Sequence, residues 1–206
     1  MCHNDIDFAQ RVEPALWASV NFGGLGSRAR RGCWVTLPID RDGVTGWPII
    51  RASGFKGVWR DWAVQQRLPH IELAFGRADT DGELANSGAL IPTDAKLVCL
   101  PVRSFRGTFA WATSPLCLQM LERTLSLAGV KDVPKAPKEE LPDDKAHHAT
   151  GTALLEGKQI YFEDLDFAAV ECKTATAWAA KLGECVFGKD DPWAKEFQKR
   201  FVVLPD

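Results

Sequence analysis

The segment SPLCLQMLERTLSLAG, Ser114 to Gly129, constrains the fold of this chain more than any other stretch. Ser114 suits a helix N-cap, because a hydroxyl can accept from the open N–H groups of a first turn. Pro115 fits the first helical position, where its missing N–H costs nothing. Leu118, Leu121 and Leu125 share one face, and Gly129 supplies the stop. A helix with one apolar stripe has to lie on something. The apolar run KLVCLPV, a candidate buried strand, precedes it and leads through RSFRGTFAWATSP into the cap.

Similar punctuation recurs along the chain. CWVTLPI is a short strand candidate, and DRDGVTGWP follows as a turn marked by Asp-Gly and Gly-x-Pro. In IIRASGFKGVWRDWAVQQ, Phe55, Val58, Trp59 and Trp62 recur at helical spacing, with Ser53 as the expected N-cap. Residues 67–96 read as loops with short extended pieces. Residues 131–150 hold three prolines, many charges and little apolar content, and read as a mobile insertion. Glu156-Gly157-Lys158 can turn a hairpin. Helices are expected from about Thr174 to Phe187 and in DDPWAKEFQKRF, which opens on Pro192, and FVVLPD begins as a strand. Strands alternating with helices, and no internal repeat, predict an α+β domain with ferredoxin-like packing among the options.

Composition narrows the function classes. With 206 residues, 46% hydrophobic and 25% charged, the chain can bury a sizeable core. No apolar run approaches the roughly 18 residues of a membrane span, and MCHNDIDFAQ has neither the basic start nor the apolar stretch of a secretory signal. The cytoplasm is the expected compartment. Six cysteines without a C-x-x-C pair read as reduced thiols, and His147 and His148 lack the spacing of a zinc site. No metal or other cofactor is expected.

A net charge of −2 argues against indiscriminate coating of nucleic acid, but the charge is unevenly placed. Arg28 to Arg60 holds seven basic and two acidic residues, and Glu139 to Glu171 nine acidic and two basic. The basic part includes FGGLGSRARRG, Phe22 to Gly32, where backbone without Cβ lies beside Arg28, Arg30 and Arg31. It is neither a Walker loop nor a dinucleotide fingerprint; it is a solvated turn or a polyanion contact. Lys56 and Arg60 stand at i and i+4 near a helix start, as solubilising surface or as phosphate ligands.

Three phrases, taken in order, resemble one family. TLPIDRDGVTGWPIIRASGFKGVWRDW resembles the opening of the backbone subunit of type III-B CRISPR effector complexes, a RAMP-superfamily protein. GALIPTDAKLVCLPVRSFRGTFAWATSP resembles its central signature, and QIYFEDLDF a later acidic and apolar phrase. The likeness covers about residues 34–206. It implies an RRM-like or ferredoxin-like palm with a thumb or lid insertion, here with an atypical front and a shortened C-terminus. It further implies one RAMP-like domain: a glycine/arginine-rich segment over 1–33, palm core over 34–130, flexible insertion and hairpin over 131–167, and C-terminal helices and strand over 168–206.

The same resemblance implies a function. Such subunits polymerise along a CRISPR guide RNA, face complementary target RNA and stack against other RAMP-type subunits. Ser53, Lys56 and Arg60 map onto the helix start that holds guide phosphate, and Arg103, Ser104 and Arg106 onto the PVRS segment. Arg28, Arg30 and Arg31 would add phosphate contacts. Where active members carry a loop aspartate for metal-dependent cleavage, this chain has Thr36, a weak ligand for a divalent cation and no carboxylate base. Asp40 and Asp42 are the remaining candidates, with magnesium needed if either acts; otherwise they are turn residues beside Gly43. Three roles follow: a non-cleaving RNA-binding structural subunit, an endoribonuclease, or a protein-interaction subunit or decoy docked on an effector complex.

Overall fold

The computed structural model describes residues 39–77 and 85–206. Within it the chain forms two compact units, 39–97 and 98–206, each described by itself. The division falls inside the stretch 34–130 expected as one palm core, because the short strands before residue 97 pair only among themselves.

In the first unit, β1 (Ile49–Ile50) leads into α1 (Ala52–Gln65), α2 (Ile71–Phe75), β2 (Gly76–Arg77), β3 (Asn86–Ser87) and β4 (Ala95–Lys96). β1 pairs antiparallel with β4, and β2 with β3. The expected turn in DRDGVTGWP is present: Gly46 N–H donates to the Asp42 carbonyl and Asp42 N–H to that of Trp47, both at 2.9 Å. Gly46 there has φ +69°, a left-handed value that favours glycine. At Gly88 a Cβ would lie 2.4 Å from the backbone of Ala74 and Phe75, so only glycine fits against the end of α2. The strand expected in CWVTLPI lies outside the described residues except for Ile39. Of the helical stripe, Phe55, Trp59 and Trp62 are half-buried while Val58 is exposed.

The second unit runs β5 (Leu100–Arg103), β6 (Phe109–Thr113), α3 (Pro115–Leu127), β7 (Lys145–His148), β8 (Gln159–Phe162), β9 (Leu165–Glu171), α4 (Lys173–Phe187), α5 (Pro192–Arg200) and β10 (Phe201–Val203). Its six strands lie in the order β5-β6-β10-β7-β9-β8, with β6–β10 and β7–β9 parallel and the other pairs antiparallel. Strands β10-β7-β9-β8 have the 4-1-3-2 order of a ferredoxin-like sheet, although β7 and β9 run parallel, where that sheet is antiparallel throughout, and residues 149–158 form a loop where that fold has its first helix. The α+β expectation is met, with ferredoxin-like strand order. β6 and β5 extend the sheet beyond β10.

The helices form where their caps are. Ser114 Oγ accepts the Cys117 N–H at 3.4 Å, and an Asp191 oxygen accepts the Trp193 N–H at 2.8 Å. One sheet face is covered by α3, α4 and α5, with Leu118, Trp178, Ala179, Leu182, Phe197, Phe201 and Val203 in a single core. α4 and α5 pack closely at Gly183, where a Cβ would meet the Ala194 carbonyl at 2.9 Å. The second core, on the other face, gathers Ala110, Ala112, Ala146, Ile160, Phe162, Phe167 and Val202 with Leu154 from the 149–158 loop. Among the described residues no helix contributes to it. The sheet curls over these residues instead, and three alanines leave room for the curl. Each fully buried aliphatic or aromatic side chain there stabilises by about 1.5–3 kcal/mol.

Residues 131–150 differ from the expected mobile insertion. Ala136, Leu141, Ala146 and Ala149 are buried, and His148 with them. Glu122 of α3 accepts the Ala136 N–H at 2.8 Å and pairs with Lys135 at 2.9 Å, while Trp178 Nε1 donates to the Lys135 carbonyl. The segment ends as β7, between β10 and β9 inside the sheet. Its few apolar groups all point inward, a pattern that composition averages away. The expected turn at 156–158 is present, with Gly157 at φ +64° and Glu156 bridged to Gln159. The β8–β9 hairpin itself turns at Glu163 and Asp164.

Candidate nucleic-acid interface

In the first unit, the expected phosphate-holding residues sit at the start of α1. Arg51, not Ser53, is the N-cap; Ser53 lies in the first turn, exposed, and no side chain of the cap residue closes the helix. The acceptor comes from Asp94, whose carboxylate takes the Ala52 N–H at 2.7 Å. Arg51 balances that charge, 3.7 Å from Asp94 and 3.6 Å from Asp40. Lys56, half-buried, and exposed Arg60 follow one turn apart, and neither has an ion-pair partner among the described residues. Lys56 stands in the second turn of α1 and Arg60 in the third, two cations on one face that suit phosphate by charge.

Asp42 spends its carboxylate on its own turn. Its Oδ1 accepts from Thr45 N–H at 2.9 Å, Val44 N–H at 3.0 Å and the Thr45 hydroxyl at 3.1 Å. Those donors, the Thr45 amide first, hold its pKa below the usual carboxylate range. Among the described residues no group of three His, Cys, Asp or Glu is placed to hold a metal ion. Arg28, Arg30, Arg31 and Thr36 lie outside the described residues.

In the second unit, Arg103, Ser104 and Arg106 have three different surroundings. Arg103 ends β5 exposed, with no ion pair among the described residues. Ser104 is only 6% exposed. It bridges Phe162, its hydroxyl donates to the Tyr161 carbonyl at 3.3 Å, and the next N–H, of Phe105, donates to the same carbonyl at 3.1 Å. These bonds join the two edge strands, β5 and β8, and close the curl of the sheet. Arg106 is ion-paired with Glu156; that contact raises the guanidinium pKa and holds the Glu156 carboxyl below its usual range.

The outer side of this seam is a groove of about 950 Å³, lined by Arg103, Phe105, Tyr161, Glu156, Glu163 and Asp164 together with Ser104. Phe105 is 74% exposed, and its ring meets that of Tyr161 edge-on, centroids 6.2 Å apart. Sequence reasoning passed over Phe105, although an aromatic set between arginines in RSFRG is a pattern that suits nucleic acid. Tyr161 and the acidic wall carry no local signal that links them to it.

The strand order and the curled face of the six-stranded sheet suit a RAMP-type fold. The sequence model of the RAMP superfamily matches residues 35–202, and the chain belongs to that superfamily. Within it, the chain is similar to the CRISPR system Cmr endoribonuclease Cmr4 of Pyrococcus furiosus, 30% identical over an alignment of 181 residues, with 84% of this chain and 57% of that protein covered. The crystal structure of oligomeric Cmr4 from the same organism superimposes with a TM-score of 0.66 at 28% identity, covering 82% of this chain and 62% of that one. A cryo-EM structure of the type III-B Cmr-beta bound to cognate target RNA shares the fold, with a TM-score of 0.54 at 17% identity over 89% of this chain and 61% of that one. The chain spans about three fifths of the length of these relatives. Among the described residues no helix is long and apolar enough to cross a membrane.

Proposed function

We propose that this chain is a structural, RNA-binding backbone subunit of a type III CRISPR ribonucleoprotein in antiviral defence. It binds the guide through its phosphates, faces complementary target RNA and stacks with other RAMP-type subunits in the cytoplasm. The observation that carries this reading is the pair Lys56 and Arg60, one turn apart in the second and third turns of α1 and without ion-pair partners among the described residues, in a chain of RAMP sequence and fold. Arg103 adds an exposed cation in the second unit, while Arg106 contributes to RNA only by leaving Glu156. Ser104 serves the seam, and its hydroxyl is already committed. Thr36 in place of a loop aspartate, and Asp42 engaged in its turn, support binding over cutting.

Phosphate contacts carry no base preference but release counterions, so affinity falls steeply with salt. Fluorescence anisotropy with single-stranded RNA over a salt series tests the reading. Lys56→Ala with Arg60→Ala weakens binding for every sequence and lowers the salt slope by about 2. Unchanged affinity and slope in that double variant refute the phosphate site.

A further inference from the structure

The groove outside the seam has the wrong charge for a phosphate track and the right surfaces for a base. Its floor is aromatic: Phe105 projects into solvent, and Tyr161 braces it edge-on. Its wall at the β8–β9 turn is acidic, carrying Glu163 and Asp164, and Glu156 is neutralised by Arg106. A polyanion is repelled by that wall. A nucleobase is not, because its exocyclic amino and ring N–H groups donate to carboxylates. A cationic peptide side chain would also suit the acids and rings, but Arg103 stands at the same groove with no ion pair among the described residues and repels it. A nucleotide needs both features, a carboxylate for its base and a cation for its phosphate.

We propose that this groove is a single-nucleotide subsite for unpaired RNA that prefers guanine. The base stacks on Phe105, its N1–H and N2–H groups are accepted by the Glu163 and Asp164 carboxylates, and Arg103 holds the flanking phosphate. Guanine is singled out because its Watson–Crick edge offers two adjacent donors, whereas uracil offers one N–H between two carbonyls that the acids repel. The proposal deepens the RNA-binding reading and rests on it, yet it acts through stacking and hydrogen bonds rather than counterion release.

The two therefore separate in one experiment. The full chain is titrated with labelled uridine oligonucleotides that either contain or lack one central guanosine, across a salt series. The guanosine oligonucleotide binds more tightly. Phe105→Ala removes that advantage and lowers affinity about tenfold, with the salt slope unchanged. Phe105→Trp restores the affinity, and Glu163→Gln with Asp164→Asn removes the guanosine preference while leaving uridine binding intact or improved. Phe105 is so exposed that these changes spare the fold. If Phe105→Ala binds like the parent chain while Lys56→Ala with Arg60→Ala does not, the subsite is refuted and the phosphate reading stands. If none of the variants alters binding, both are refuted. Phe105-dependent capture of an oligoarginine peptide, with no guanosine preference, also overturns the proposal.

Discussion

The two units hold themselves together by different means. Residues 98–206 surround one six-stranded sheet with two cores, one under three helices and one enclosed by the curl of the sheet itself. The described part of 39–97 buries only Ala63, Phe75 and Gly76, and its strands are two residues long. Its order comes from polar contacts: the Asp42 turn, the Arg41 guanidinium on the Gly46 carbonyl, and Asp94 on the α1 N-terminus. Apolar burial supplies most of a domain's stability, whereas exposed ion pairs supply little. The described part of the first unit carries its cations outward and has little core. The second places its binding surface on a rigid scaffold.

Perturbing each unit where it is strongest sharpens that contrast. The largest effect belongs to Trp178, fully buried at the centre of the helix-side core with its indole N–H on the Lys135 carbonyl. Trp178→Ala costs about 3–5 kcal/mol, measured by urea unfolding. A loss much below that would mean that the second unit is not held by its core. Next comes the loss of RNA affinity in Lys56→Ala with Arg60→Ala, which should leave the melting temperature where it was, since neither cation has an ion pair among the described residues.

Smaller still is the effect of Asp94→Ala, about 1 kcal/mol, the usual cost of removing a helix cap. The same change takes a carboxylate away from the α1 N-terminus and should tighten RNA binding. Weaker binding would show that Asp94 positions the site rather than competes for it. The smallest effect concerns Glu122. The Ala136 N–H, then the Lys135 ammonium, lower its pKa in the folded chain. A carboxyl with a depressed folded pKa adds stability above its ordinary range and loses it as pH falls through the folded value. Acid titration of Glu122→Gln against the parent should therefore show a gap that closes on acidification. A gap that widens instead would break the assignment.

Sequence and structure agree where the information is local. The α3 and α5 starts follow from Ser114 and Asp191 beside prolines, and the turn at Asp42 from its own spacing. They part where the partner lies far along the chain. Ser53 looked like the α1 cap, but Asp94, 42 residues beyond Ala52, supplies the acceptor and leaves Arg51 at the cap position. Arg106 resembled a free phosphate ligand until Glu156, 50 residues away, came beside it. β7 was hidden for another reason: Lys-Ala-His-His reads as solvated surface, yet Ala146 and His148 point into the sheet and Val202 stands opposite His148 in register. For the candidate site, the cations of RSFRG were read from the sequence and Phe105 between them was not, while the acidic wall of the groove comes from a turn nearly sixty residues later.

The bridge from Ser104 to Phe162 has a consequence for growth. A sheet with loose margins invites another backbone to lie alongside and continue the ladder. Here the two outermost strands are fastened to each other at one end like a buttoned cuff, so fewer main-chain donors and acceptors are left on offer there. A neighbouring chain that reached this margin would meet side chains rather than open backbone.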